Sequence, residues 1–310
     1  MKEILPISQT KLYGLDNFFN ELVELNKKKK LPNKILLSGQ KGVGKSTLVY
    51  HFINYVLSLN ENYKYDLKNL QINLENHSYK TVRNKTNLNF ILIDIESEKK
   101  YIDINQIRTL ISSLNKSSLN DKPRFVLIDN IEFLNLNSIN ALLKVLEEPA
   151  FNVHFFLINN DKRVLPTLIS RCLNFRIFMN SQTKLDVSNR LLEVKLETII
   201  NKDLLNYYYT PGNIYNLCKF AKSNEYDLTN LTLNDFIKVV IKNNHYKKDS
   251  YIRYLLFDFI EFYFRKFETS LSLKIIDKYS YFLKKISDTK KFNLDYESLF
   301  IEFEKEILNG

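Results

Sequence analysis

The chain has 310 residues, 45% hydrophobic and 26% charged, with a formal net charge of +10; it is long enough for two or three domains with cores of their own. No run approaches the roughly 18 apolar residues of a membrane span, and Met1–Thr10 lacks the apolar stretch of a secretory signal, so a cytoplasmic protein without membrane association is expected. Cys172 and Cys218, with four scattered histidines, exclude a disulfide framework, a zinc quartet and a histidine ligand cluster.

A helical pattern runs from Leu15 to about Lys30 and is followed by an apolar strand, Lys34–Ser38. A glycine loop comes next, then a helix from Lys45 to about Leu59 with Leu48, Val49, Phe52, Ile53 and Val56 on helical spacing. Asn60 to Asn89 is polar and reads as an insertion without a clear pattern. Strands recur at Phe90–Asp94, Arg124–Asp129 and His154–Asn159, each a short continuous apolar run of the kind a parallel sheet covered on both faces requires. Beyond Arg176 the strand signals stop and helix follows helix. The fold class expected is therefore an α/β domain with a parallel sheet, residues 1–178, followed by all-α regions at 179–224 and 225–310.

Glycine is scarce: six in the chain, where average usage gives roughly 22. Three of them, Gly39, Gly42 and Gly44, fall in Gly39-Gln-Lys-Gly-Val-Gly-Lys-Ser46, a P-loop with a strand before it and a helix after it. In such a loop backbone N–H groups and the helix N-terminus surround phosphate, Lys45 neutralises its charge, and the Ser46 hydroxyl reaches Mg²⁺. The acid closing the third strand, Asp129, stands where a P-loop fold places a second Mg²⁺ carboxylate. The net charge suits an anionic partner, but lysine is common throughout and Lys27–Lys30 reads as a solvated helix end.

Asn137–Pro149 predicts a helix with an asparagine cap, an apolar stripe of Ile139, Leu142, Leu143 and Leu146, and Lys144 and Glu148 spaced for an i,i+4 pair. Its sequence, Asn-Ala-Leu-Leu-Lys-x-Leu-Glu-Glu-Pro (140–149), followed by Leu-Pro-Thr-x-x-Ser-Arg-Cys (165–172), resembles the AAA+ clamp-loader subunits of DNA replication. Ile104-Asn-Gln-Ile-Arg108 and Leu31-Pro-Asn-Lys34 are similar to further segments of that family. The resemblance is strong over about 14–178 and holds only in outline beyond.

The resemblance implies a helical lid at 179–224 and a helical collar at 225–310. It implies ATP and Mg²⁺ at Gly39, Gly42, Gly44, Lys45, Ser46, Thr47 and Asp129, with Ser46 and Asp129 toward the metal, and leaves occupancy open. Asn159 or Asn160 takes the place of a polar sensor, and the sequence does not say which points inward. Active relatives carry a glutamate after the strand aspartate, where this chain has Asn130, and a lid arginine, where Gly212-Asn-Ile-Tyr215 puts a tyrosine. Arg171 is retained, and in the family this arginine reaches in trans to the γ-phosphate held by a neighbouring subunit. These features favour the delta-prime branch of the bacterial DNA polymerase III clamp loader: a component of the polymerase holoenzyme with weak or absent ATPase of its own. The partners implied are gamma/tau-like and delta-like subunits, the sliding clamp and primed DNA. The cysteine quartet of some relatives is missing, so no zinc is expected. The alternatives are a gamma/tau-like motor that hydrolyses ATP itself, and a P-loop enzyme outside replication. The aromatic group Tyr251, Tyr254, Phe257, Phe259, Phe262, Tyr263, Phe264 and Phe267 reads as core or subunit interface rather than a base-stacking platform.

Overall fold

The computed structural model describes residues 4–96, 99–116, 120–205, 209–266, 273–292 and 294–308. The chain forms two compact units, Met1–Leu191 with Thr210–Ile214, and Leu192–Tyr209 with Tyr215–Gly310.

In the first unit the elements run α1 (Asp16–Lys27), β1 (Lys34–Ser38), α2 (Lys45–Leu57), α3 (His77–Arg83), β2 (Phe90–Ile93), α4 (Ile104–Leu114), β3 (Arg124–Ile128), α5 (Leu136–Glu147), β4 (Val153–Asn159), α6 (Pro166–Ile169) and β5 (Leu173–Arg176), with α7 (Ser181–Leu192) closing the run. The strands make one parallel sheet in the order β2-β3-β4-β1-β5. Side chains alternate across it, so each strand feeds two cores. Ile35, Leu37, Phe125, Leu127, Phe156 and Ile158 pack with α1 and α2 on one face. Leu36, Val126, Ile128, Val153, Phe155 and Leu157 pack with α4 and α5 on the other.

Four local features differ from the sequence reading. Residues 60–89 contain α3 and send Tyr65, Leu70, Ile72, Tyr79 and Val82 into the first core. Buried Asn76 organises this stretch, accepting from the Tyr79 N–H and the Asn54 amide while donating to the Tyr63 carbonyl; isolated apolar residues among asparagines carry no period that would reveal it. The fifth strand, β5, was not expected, because Leu-Asn-Phe-Arg is short and mostly exposed at the sheet edge. The cap of α5 is Asn135, whose side chain accepts from the Ser138 N–H, and not a residue at 137. Glu148 lies past the helix end at φ −126° and ψ 74°, which removes the i,i+4 geometry; among the described residues it forms no ion pair with Lys144.

The second unit is helical and contains most of α8 (Pro211–Ser223), then α9 (Leu233–Lys242), α10 (His245–Lys248), α11 (Ser250–Lys266), α12 (Leu273–Phe292) and α13 (Tyr296–Phe303). A reciprocal capping box, Thr232 with Asp235, starts α9. Phe236, Phe259, Phe264, Phe282, Phe300 and Phe303 are fully buried, with edge-to-face pairs such as Phe236 on Phe259 at 5.5 Å and Phe282 on Phe303 at 5.4 Å. Of the aromatic group on α11, Phe257, Phe259 and Phe264 are core and Tyr254 is exposed, while Phe267 lies outside the described residues. No helix among the described residues is long and apolar enough to cross a membrane.

Candidate functional site

Strand β1 is central and buried, so the loop after it opens at the carboxyl edge of the sheet, where parallel α/β folds place their ligands. The turn into α2 needs left-handed backbone at Gly42 and Gly44, with φ of 88° and 94°. Gly44 is the N-cap of α2 and no side chain caps this helix start. The first-turn N–H groups, those of Lys45, Ser46 and Thr47, have no acceptor within their own helix, which leaves an anion-seeking end.

Lys45 is buried, and its ammonium donates to the carbonyls of Gly39 and Gln40, both at 2.7 Å. Burial pushes its pKa down to about 8, against the pull of Asp129, Asp161 and Glu132. The Ser46 hydroxyl donates to Asp129 Oδ2 at 2.6 Å. Burial holds the Asp129 carboxyl above its ordinary range, the Ser46 hydrogen bond opposing and Asp94 adding to the rise. A buried ammonium met only by carbonyl dipoles, an uncapped helix start and a hydroxyl paired with a carboxylate fit a phosphate chain and its divalent cation. Among the described residues no three His, Cys, Asp or Glu side chains gather to hold a metal by themselves.

The Lys45 shift has a measurable sign. Phosphate oxygens favour the charged amine, so the affinity of a nucleotide held at Lys45 should fall as pH rises through 8, with about one proton taken up on binding at pH 9. Calorimetry in two buffers of different ionisation enthalpy reads that uptake. Lys45→Met abolishes it, and an affinity flat between pH 7 and 9 contradicts the expectation.

Next to this group the ends of β2, β3 and β4 are laced together. Asn130, at φ 56° and ψ 48°, donates its N–H to Asp129 Oδ1 and its side-chain amide to Asp94 Oδ1, both at 2.8 Å. Its side-chain carbonyl accepts from Asn160 at 2.9 Å, and Asn160 also donates to Glu132 Oε1 at 3.0 Å. Asn130 is thus engaged at both ends of its amide. Asn160 is the residue joined to the site, whereas Asn159 closes a local turn by donating to the Lys162 carbonyl and accepting its N–H. Asp94 and Glu132 were not among the expected site residues. The signal for Asp94 was its place at the end of the strand next to β3; for Glu132 no spacing rule applies, because a 3-10 turn carries it.

The start of α8 straps the same loop. Thr210 Oγ1 donates to the Lys41 carbonyl at 2.8 Å, and the Gly212 N–H donates to the Gly42 carbonyl at 3.0 Å. The approach is close enough that a Cβ on Gly212 would sit 2.9 Å from Gly42 Cα. Gly212 therefore has a packing role of its own, while Tyr215 is buried in the second unit. Arg171 is not part of this cluster: its guanidinium donates to the Thr167 carbonyl at 2.9 Å and to Glu147 Oε1 at 2.6 Å.

Residues 14–180 match the protein family described as DNA polymerase III, delta subunit. The DNA polymerase III subunit delta′ of Buchnera aphidicola from Schizaphis graminum is 24% identical over 289 residues, 87% of this chain and 83% of the relative. The subunit gamma of Buchnera aphidicola from Acyrthosiphon pisum is 32% identical over 151 residues, 48% of this chain and 39% of the relative. Among solved structures, a gamma subunit-related protein from Thermotoga maritima is 18% identical, with a TM-score of 0.48 over 91% of this chain and 96% of that one.

Proposed function

Because the chain belongs to the family described as DNA polymerase III, delta subunit, we propose that it is the delta-prime-like member of a clamp loader, acting on a neighbour's nucleotide more than on its own. It works beside gamma/tau-like and delta-like subunits, and the assembly opens a sliding clamp and closes it on primed DNA. Its three functional parts are the P-loop domain at 1–178, a lid at 179–224 and a collar at 225–310.

The observation that carries this reading is the contrast between Asn130 and Arg171. A hydrolytic P-loop site needs a group that takes or orients the proton of the attacking water. Asn130 is no base, and both ends of its amide are consumed by Asp94 and Asn160. Arg171 carries the planar fork suited to phosphoryl charge, on a surface where Leu165, Ile169 and Leu173 expose large apolar side chains. Exposed apolar side chains and an arginine are the composition of the core of a subunit contact.

The P-loop keeps the residues to hold a nucleotide: Gly39, Gly42, Gly44, Lys45, Ser46 and Thr47 around the phosphates, Ser46 and Asp129 toward Mg²⁺, and Asn160 beside them. The bound metal would neutralise phosphate charge. In this reading the nucleotide stiffens the subunit and is not turned over. Isolated chain is therefore expected to bind ATP with little hydrolysis and to give the same rate as its Lys45→Ala variant. Vigorous turnover that Lys45→Ala removes would assign the chain to the motor class instead.

A further inference from the structure

The ion pair between Arg171 and Glu147 stands apart from the P-loop cluster, and Glu147 has no role assigned so far. Glu147 is the last residue of α5, which stops there because Pro149 cannot continue it. The end of α5 is held in place from the sheet: Lys34, the first residue of β1, donates its ammonium to the Leu146 carbonyl at 2.9 Å. Glu147 is thereby set against Arg171, which is held at its other nitrogen by Thr167. The two side chains are 33% and 53% exposed. An exposed pair of this kind is weak, and it orders the arginine without committing it. A phosphate offers the same fork two charged oxygens, a stronger partner than one carboxylate oxygen.

We infer that Glu147 is a positioning residue for Arg171: a carboxylate rest that holds the guanidinium against its own domain until a neighbour's nucleoside triphosphate replaces it. The inference rests on the trans reading of Arg171. The exchange breaks one charge-assisted hydrogen bond and forms others, with no covalent step.

Competition by Glu147 makes the arginine less available when nucleotide is scarce. In the loader reconstituted with its own motor subunits, Glu147→Gln should lower the ATP concentration for half-maximal turnover by about two- to fivefold, leaving kcat unchanged. The gain should shrink as salt screens the wild-type pair, and Glu147→Asp, which keeps the charge, should stay close to wild type. A merely structural Glu147 would give no salt-dependent gain. If Arg171→Ala lowers kcat while Glu147→Gln matches wild type at every salt concentration, the rest is wrong and the trans reading stands. If Glu147→Gln lowers kcat as Arg171→Ala does, Glu147 is required for delivery and the rest is equally wrong. If Arg171→Ala changes nothing in a normally assembled loader, the reading beneath both has failed.

Discussion

With Arg171 acting in trans as proposed, Arg171→Ala is expected to lower ATP turnover at the interface it faces by about 10³-fold, the scale at which phosphoryl-transfer sites depend on an arginine supplied from outside. Total turnover of the loader then falls by that interface's share, with the other sites continuing. The loss is not a folding effect. Arg171 is partly exposed, its backbone partner Thr167 is exposed, and Glu147 resolvates once the pair is gone, so the variant should elute in the assembled complex at wild-type position. Arg171→Lys should recover little, because an ammonium is a point charge that cannot span two phosphate oxygens. DNA-stimulated ATPase of reconstituted loader, with gel filtration as the assembly control, decides the matter: unchanged turnover in a normal assembly sinks the trans role.

Gly42→Val is expected to have the largest effect on stability. A β-branched residue at φ 88° carries backbone strain of about 1–3 kcal/mol. Its Cβ would also lie 2.4 Å from Thr210 Oγ1 and 3.2 Å from the Asn213 nitrogen, an overpacking worth about 1–3 kcal/mol more. Relief comes only by pushing away the strap, with loss of the Thr210 and Gly212 hydrogen bonds. Against a net stability of about 5–15 kcal/mol for a folded domain, that is a severe change. The Gly212 N–H, which donates to the Gly42 carbonyl, reports it directly as faster hydrogen exchange, and the urea midpoint of the first unit should fall. Gly42→Ala should show a smaller shift of the same sign. A Gly42→Val protein with unchanged Gly212 exchange would mean that the strap does not hold the loop.

The parts of the fold legible in advance were those where one periodicity acts alone. The runs Lys34–Ser38, Arg124–Ile128 and Val153–Asn159 each hold three or more consecutive apolar residues because both faces of the sheet are covered, and the P-loop motif stands out through glycines that the rest of the chain avoids. Residues 60–89 stayed opaque because their contribution hangs on one buried asparagine, Asn76, serving three partners at once. At the candidate site, residue identity pointed to Lys45, Ser46 and Asp129, which the fold brings together, but not to the different settings of Asn159 and Asn160. Those settings depend on a one-residue difference in where β4 releases the chain, with Asn159 folding back on Lys162 and Asn160 turning to Asn130. Glu147 was hidden for a similar reason: it sits beside Glu148 in sequence, and only the end of α5 decides which of the two faces Arg171.

The order of strands has a consequence for how this protein is made. The P-loop strand β1 emerges early in synthesis, yet both of its neighbours come late: Lys34 pairs with Phe155 of β4, and Ile35 pairs with Leu173 of β5. At translation speeds of about 5–20 residues per second, β1 therefore waits on the order of ten seconds for the strands it pairs with to be synthesised. Meanwhile β2 and β3, which pair with each other, are complete sooner. The Gly39–Ser46 loop can thus take its final place in the sheet only after β4 and β5 have been made, and until then Lys34–Ser38 lacks both of its strand partners.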